Sequence, residues 1–178
     1  GLYPHDPAKA KALLAEAGYP DGKDAGGKQL TLDLFANARE AVMEFVKQQW
    51  ETNLGIAVNL QVLEAAAWGQ KRSDHAMMIY KGPYEYDYLD PANMLTSLWR
   101  SVDEKGSPRH SWKNAKFDEL VTAAGSEPDN AKRMSQYQEA ERLLVEDVGA
   151  VFLTHQVIFQ VWWPYLAGIK PDTSGNTV

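Results

Sequence analysis

Residues 29–35 read QLTLDLF, a stretch in which Leu30, Leu32 and Leu34 alternate with other residues. Alternation with a period of two predicts a β-strand that buries one face. Residues 56–63, IAVNLQVL, alternate in the same way and predict a second strand. The two segments are separated by a long stretch with helical character, so the strands are expected to run parallel.

Helices are predicted before and between these strands. Asp6-Pro7 is typical of a helix start, because a carboxylate can cap the first turn and proline suits the first helical position. Residues 38–53 predict a helix that ends at Gly55. The side chains expected to face inward from this helix are Val42, Phe45, Val46 and Trp50.

The next two segments complete the pattern. Residues 65–72 predict a short helix that carries Trp68, and residues 76–80, AMMIY, are continuously apolar, as a buried strand of a parallel sheet would be. The order of elements is therefore helix and strand in alternation. It predicts an α/β fold with a mixed, mostly parallel sheet flanked by helices, in a single domain over residues 1–178.

The second half of the sequence is richer in helix signals. Asp90-Pro91 repeats the Asp-Pro helix start, and residues 115–124 predict a short helix. Ser126 to Asp129 resembles a capping box that opens a long helix to about residue 147. Residues 150–163 predict one or two final strands. The inward side chains of the long helix are expected to be Met134, Tyr137, Ala140, Leu144 and Val148.

The composition excludes several classes of protein. The 178 residues are 44% apolar and 24% charged, which is a globular composition, and the net charge of −6 argues against a nucleic-acid partner. Cysteine is absent, so disulfides and thiol chemistry are excluded. The sequence has no run of about 20 apolar residues, the length that a membrane-spanning helix needs. Six Trp and eight Tyr suit a binding surface as well as a core. The opening GLYPHDP, without Met, predicts a fragment or a processed product.

Familiar catalytic and metal-binding motifs are weak or missing. Residues 22–29, GKDAGGKQ, nearly match a phosphate-binding loop, but Gln29 replaces the final Ser or Thr and the loop follows a helix instead of a strand. The four histidines lack metal-ligand spacing, so no metal site is expected. No catalytic residues and no cofactor are predicted.

The stretch YEYDYLDP at 84–91 is the strongest candidate site. Glu85 and Asp87 could act as the acid and base of a hydrolase, whereas Asp90 is explained as the N-cap of the next helix. Asp87 lies between Tyr86 and Tyr88, just after a predicted parallel strand, where open α/β sheets bind ligands. A carboxylate among tyrosine rings suits a ligand cation.

Two basic residues precede this stretch. Arg72 lies near the end of the short helix, and Lys81 follows the third strand. Either could contact an anionic group of a ligand. The alternative, which holds for most Lys and Arg, is a solvated surface charge.

Five segments together resemble the family 5 extracytoplasmic solute-binding proteins, the peptide- and nickel-binding receptors of ABC importers. They run in the family's order and cover almost the whole chain. The segments are DPAKAKALLAEAGYPDG at 6–22, VKQQWETNLGIAVNLQVLE at 46–64, YDYLDPANML at 86–95, NAKFDELVTAA at 114–124 and YQEAERLLVEDVGAVFL at 137–153.

The resemblance implies a fold, a function and a set of ligand contacts. It implies that residues 1–178 form the C-terminal lobe of a larger two-lobed receptor with the type II periplasmic binding fold. Asp87 matches the aspartate that pairs with the α-ammonium group of a bound peptide. Arg72 and Lys81 match positions that contact ligand carboxylates. The aromatic residues expected to line the pocket are Tyr84, Tyr86, Tyr88 and Trp68. The sequence departs from the family pattern at two points, with Tyr84 where many members have Trp and Lys81 where Arg occurs.

The resemblance also implies partners and a location. The expected partners are a small ligand, most readily a short peptide, the ABC permease in the membrane and the N-terminal lobe of the same parent chain. The expected location is the periplasm or the outer face of a membrane. Two alternatives remain at this point: a ligand-sensing domain of a regulator with the same fold, and an acid-dependent hydrolase that uses Glu85 and Asp87.

Overall fold

A computed structural model describes residues 3–38, 40–82, 84, 86–153, 161–163 and 165. The chain divides into two compact units, Gly1–Pro83 and Tyr84–Val178. We call them the sheet unit and the helical unit and describe each by itself. The expectation of a single domain over residues 1–178 stays a prediction.

The sheet unit contains a parallel three-stranded sheet with helices between its strands. The strands are β1 (Thr31–Ala36), β2 (Ala57–Val62) and β3 (Ile79–Tyr80), and the helices are α1 (Pro7–Glu16), α2 (Ala41–Leu54) and α3 (Ala65–Ser73). The spatial order is β2-β1-β3, with Thr31 opposite Ala57 and Leu34 opposite Ile79. The alternation of helices and parallel strands predicted from the sequence is confirmed.

Apolar side chains from the sheet and α2 form the core of this unit. The buried residues are Leu34, Ala36, Met43, Ile56 and Val58. Leu34 and Val58 come from the alternating segments that predicted β1 and β2. β1 is buried on both faces at its end, however, because Phe35 packs with Trp68 and Met77 in a separate cluster. Removing these side chains from water is the main favourable contribution to the stability of the unit.

Side chains of α2 also hydrogen-bond the backbone of β2 at the edge of the sheet. The backbone N–H of Val58 donates to Glu51 Oε1 at 3.1 Å, and Lys47 Nζ donates to the Val58 carbonyl at 2.5 Å. The Val58 N–H, and then Lys47, which pairs with Glu51, hold the pKa of Glu51 below its usual value. Edge strands expose unpaired backbone groups, so the two side chains cover part of an edge that would otherwise be open.

Two glycines permit a close backbone crossing beside the sheet. Gly22 and Gly55 have φ of +76° and +70°, and a Cβ at Gly22 would lie 2.4 Å from the Gly55 carbonyl oxygen. Only glycine fits such an approach in the left-handed region. Gly55 ends α2, as predicted.

Two predictions in the sheet unit are wrong in detail. Phe45 is 59% exposed, whereas Met43 is buried. Residues two positions apart in a helix are rotated by about 200° about its axis, so a helix that buries Met43 turns Phe45 to the opposite side. The predicted strand at 76–80 is shorter than expected, because the Ala76 N–H still bonds the Lys71 carbonyl at the end of α3. Pairing with β1 begins only at Ile79, and Met78 is 90% exposed.

In its described residues, the helical unit contains three helical segments. Helix α4 (Pro91–Met94) continues into a π-helical turn at Leu95–Trp99, and α5 (Ala115–Ser126) and α6 (Asn130–Glu146) pack together. Its core consists of Leu95, Trp99, Phe117, Val121, Ala124, Tyr137, Ala140 and Leu144. Three of the inward positions predicted for α6, namely Tyr137, Ala140 and Leu144, are buried.

Other predictions for this unit need correction. Ser126 is the last residue of α5, and Asp129 caps α6 by accepting from the Lys132 N–H at 2.8 Å. Val148 lies beyond the end of α6 and is 59% exposed. Of the strands predicted over 150–163, residues 154–160 fall outside the described residues, and residues 150–153 and 161–163 are not in strands. In the described part of the chain, no helix has the length and apolar character needed to cross a membrane.

Candidate functional site

The tyrosine loop, residues 84 and 86–90, opens the helical unit and leads into α4. Asp90 ends the loop as the N-cap of α4, where its Oδ1 accepts from the Ala92 N–H at 2.8 Å. Arg133 on α6 donates to the same oxygen at 2.6 Å. The Arg133 hydrogen bond is the largest cause of a pKa below the usual range for Asp90, and the Ala92 N–H lowers it further. The predicted capping role of Asp90 is confirmed.

A buried asparagine holds this loop together. Asn93, which is 2% exposed, accepts the Tyr84 hydroxyl at its backbone carbonyl (2.9 Å) and at Oδ1 (3.2 Å). The Asp87 N–H also donates to Asn93 Oδ1, at 3.1 Å, and Asn93 Nδ2 donates to Asp87 Oδ2 at 3.2 Å. One side chain therefore fixes both the backbone and the carboxylate of Asp87.

Sequence reasoning did not identify Asn93. A signal was present, since side chains in the first turn of a helix point back toward its N-terminus and the residues before it. Asn93 follows the Asp90 cap by three residues and Asp87 by six. An asparagine in the first turn is usually read as solvated, however, and only its burial distinguishes it.

The other loop residues differ in exposure. Asp87 is exposed, and Tyr86 and Tyr88 are 42% and 50% exposed. Tyr84 is half-buried, and the Arg109 guanidinium lies 5.3 Å from the centre of its ring. Burial, and then the negative charge of Asp87, raise the pKa of the Tyr84 hydroxyl above its usual value. Tyr84 is therefore a neutral hydrogen-bond donor to Asn93 at neutral pH.

The hydrolase alternative requires Glu85, which lies outside the described residues. Among the residues that the structure does describe, no group of three or more His, Asp or Glu side chains is arranged to hold a metal ion. Residues 22–29, which resemble a phosphate-binding loop, lead into β1. They fold back on Asp24, whose Oδ1 accepts hydrogen bonds from the N–H groups of Gly26 and Lys28. Those amides are occupied within the loop itself.

Trp68 and Arg72 lie together in the sheet unit. Trp68 is 7% exposed, and the Arg72 guanidinium lies 4.6 Å from the centre of its ring. Tyr80 contacts the same indole edge-on at 5.9 Å. Within the described residues, neither Trp68 Nε1 nor Arg72 Nε has a hydrogen-bond partner, although both atoms are buried. Arg72 is thus half-buried on an aromatic ring and is not a fully solvated charge.

Lys81 is differently placed. Its backbone N–H continues the sheet by donating to the Phe35 carbonyl, and its Nζ pairs with Glu40 Oε1 at 2.6 Å. A ligand carboxylate at Lys81 would have to compete with Glu40. The structure therefore brings the predicted residues together in two groups: Trp68 with Arg72 in the sheet unit, and Tyr84, Tyr86, Asp87 and Tyr88 in the tyrosine loop.

Comparison with known proteins gives consistent matches. The sequence model described as "Bacterial extracellular solute-binding proteins, family 5 Middle" matches residues 1–106. The di/tripeptide-binding protein 2 of Pseudomonas aeruginosa is 30% identical over an alignment of 184 positions, which covers 94% of this chain and 32% of that protein. The chain thus spans about a third of the length of this relative.

Solved structures agree with the fold. A periplasmic oligopeptide-binding protein from Borrelia burgdorferi superposes with a TM-score of 0.69 at 30% identity, over 79% of this chain and 28% of that one. A periplasmic binding protein from Helicobacter pylori, in complex with the peptide STSA, gives 0.71 at 25% identity, over 82% and 28%. The chain therefore has the α/β fold of a type II periplasmic-binding-protein lobe, and it belongs to the family 5 bacterial extracellular solute-binding proteins.

Proposed function

We propose that this chain is part of the substrate-binding component of an ABC importer and captures a short peptide. The proposal is supported by the relatives, which are named as di/tripeptide- and oligopeptide-binding proteins. In this proposal the protein works in the periplasm or at the outer face of a membrane. The chain supplies the C-terminal lobe, and the N-terminal lobe of the same parent receptor and the permease are its partners.

The observation that carries the proposal is the Asp87 carboxylate. It is exposed, held by Asn93, and flanked by the exposed rings of Tyr86 and Tyr88. A carboxylate in a fixed position pairs well with an ammonium group, and neighbouring rings that exclude water strengthen such a pair. The α-ammonium group of a peptide supplies this charge, so we assign Asp87 as its anchor.

The remaining predicted residues have secondary roles in this proposal. Tyr84 holds the loop, and Tyr86 and Tyr88 contact the ligand. We propose that the Arg72 guanidinium, which lies on the Trp68 ring, contacts a ligand carboxylate, whereas Lys81 remains paired with Glu40. The relatives are binding proteins, and we propose likewise that this protein binds its ligand and releases it unchanged, without a cofactor.

The test is calorimetric titration of the intact receptor that contains this chain, with a pool of di- to pentapeptides. Asp87→Ala should weaken binding by about 2–5 kcal/mol, or roughly thirtyfold or more, because it leaves the ligand ammonium without its partner. Asp103→Ala is the matched control, since Asp103 is an exposed carboxylate in a surface turn of the same unit.

Two results would contradict the proposal in different ways. A wild-type receptor that binds none of the peptides would exclude the peptide as ligand. Peptide binding that survives Asp87→Ala unchanged would exclude Asp87 as the anchor while leaving the ligand class intact.

A further inference from the structure

We propose that Asn93 is a positioning residue for ligand binding, which fixes the Asp87 carboxylate so that one of its oxygens is ready for the ligand's ammonium group. This inference rests on the proposed function, because it assumes that Asp87 meets a cation. It adds a residue that makes no ligand contact of its own. Asn93 acts through Asp87.

The hydrogen-bond capacity of the Asn93 side chain is used almost completely. Oδ1 accepts the Asp87 N–H at 3.1 Å and also lies 3.2 Å from the Tyr84 hydroxyl, whose single hydrogen it shares with the Asn93 backbone carbonyl at 2.9 Å. Nδ2 donates one of its two hydrogens to Asp87 Oδ2 at 3.2 Å. A side chain that is 2% exposed and bonded in this way has little freedom to rotate.

The orientation of the amide follows from its partners. The backbone N–H of Asp87 can only donate, so the atom that faces it has to be the amide oxygen. The amide nitrogen is then directed at the carboxylate. The reverse orientation would place the Asn93 oxygen against Asp87 Oδ2 and the amide hydrogens against the Asp87 N–H, which would break both bonds. These hydrogen bonds therefore hold the Asn93 amide nitrogen as a donor to the Asp87 carboxylate.

The two oxygens of Asp87 are consequently unlike. Oδ2 accepts from Asn93, whereas no hydrogen bond reaches Oδ1 from any residue that the structure describes. An exposed aspartate without such a contact would sample several rotamers and would lose that freedom on binding. Because Asn93 already restrains the side chain, Oδ1 is pre-organised for a charged donor, and the affinity for an ammonium group should depend on Asn93.

The test measures two ligands on the intact receptor: a dipeptide with a free amino group and the same dipeptide with an acetylated amino group. Asn93→Ala should raise the Kd of the free dipeptide about tenfold and change that of the acetylated one less than twofold, because only the former uses Asp87. In an Asp87→Ala background, Asn93→Ala should have no further effect on the free dipeptide. Such non-additivity identifies residues that act as one unit.

A matched control separates positioning from loss of stability. Asn114→Ala removes an asparagine that caps α5 in the same unit, where its Oδ1 accepts from the N–H groups of Lys116 and Phe117. It should lower the melting temperature and leave both Kd values unchanged. If Asn93→Ala does not fold, Asn93→Ser retains a small hydroxyl at the site and should show the same change in the ratio of the two Kd values.

The outcomes are distinct. Equal weakening of both dipeptides, or an undiminished effect of Asn93→Ala in the Asp87→Ala background, would show a merely structural role and overturn the inference alone. A wild-type receptor that binds neither dipeptide would overturn the proposed function and the inference together.

Discussion

The dipeptide Asp-Pro begins a helix twice in this chain, and the two sites differ in their burial and tertiary contacts. Asp6 is exposed, and its Oδ1 accepts from the Lys9 N–H at 2.9 Å at the start of α1, a helix without a buried residue. Asp90 is half-buried and caps α4 while pairing with Arg133 on another helix. The same local motif thus only caps a helix in the sheet unit, whereas in the helical unit it also joins two helices beside the candidate site.

Of the substitutions that test this comparison, the one at Asp90 should have the largest effect on the free energy of unfolding. Asp90→Ala removes the cap and leaves the half-buried Arg133 guanidinium without its carboxylate, so the free energy of unfolding should fall by about 2 kcal/mol. Urea unfolding followed by circular dichroism measures the change. A loss no greater than that of Asp6→Ala would show that the Arg133 contact contributes nothing.

Arg133→Met separates the ion pair from the cap. Methionine keeps an unbranched side chain near Tyr137, whose ring centre lies 5.0 Å from the Arg133 guanidinium, but it removes the charge. The expected loss is about 1 kcal/mol, because both partners remain partly exposed to solvent.

The double variant sharpens this result. In an Asp90→Ala background, Arg133→Met should cost nothing more, since the partner is already absent. Additive losses in the same urea experiment would place the effect of Arg133 elsewhere, for example on Tyr137.

The pH dependence of stability gives a smaller effect of defined sign. The folded pKa of Asp90 lies below its usual value of 3.8. The stabilisation that its ionised form gains on folding is therefore present in full above pH 3.8 and is lost as the pH falls through the folded pKa. The gap between wild type and Asp90→Asn, expected to be below about 1 kcal/mol, should shrink over that acid range.

A control for the pH experiment is available in the same pair. Arg133 is the first cause of the lowered pKa, so the acid-dependent part of the gap should largely disappear when Asp90→Asn is compared in an Arg133→Met background. A gap that stays constant from pH 7 to pH 2 would contradict the assigned role of the ion pair.

The smallest effect is expected at the first helix start. Asp6→Ala removes one hydrogen bond at the exposed end of α1, and the free energy of unfolding should fall by only about 0.5 kcal/mol. Asp6→Asn, which can cap equally well, should be neutral in the same measurement. A loss at Asp6 as large as that at Asp90 would mean that α1 supports the sheet unit more strongly than its exposure indicates.

Features that depend on a few neighbouring residues were predictable. The helix starts at Asp6 and Asp90, the end of α2 at Gly55 and the alternating strands β1 and β2 are all determined by side chains within about four positions. The family resemblance was also accessible, because it rests on ordered segments of the sequence and not on contacts.

Features that depend on burial were not predictable in the same way. Phe45 was expected to face inward and is exposed, because the choice between neighbouring helical faces depends on what packs against them. Lys81 forms an ion pair with Glu40, forty-one residues away, and no local sequence pattern indicates this pair. Asn93 looks like an ordinary first-turn residue until its burial and its bonds to Tyr84 and Asp87 are known.

The sequence by itself determined the order of helices and parallel strands in the sheet unit, the caps at Asp6, Gly55 and Asp90, the family and the candidate carboxylate at Asp87, because each of these depends on local periodicity or on short ordered motifs. Only the tertiary structure decided that Lys81 is already paired, that Arg72 lies on Trp68 and that Asn93 holds Asp87. The physical reason is that burial and hydrogen-bond partners are set by the packing of segments distant in sequence, which no local pattern specifies.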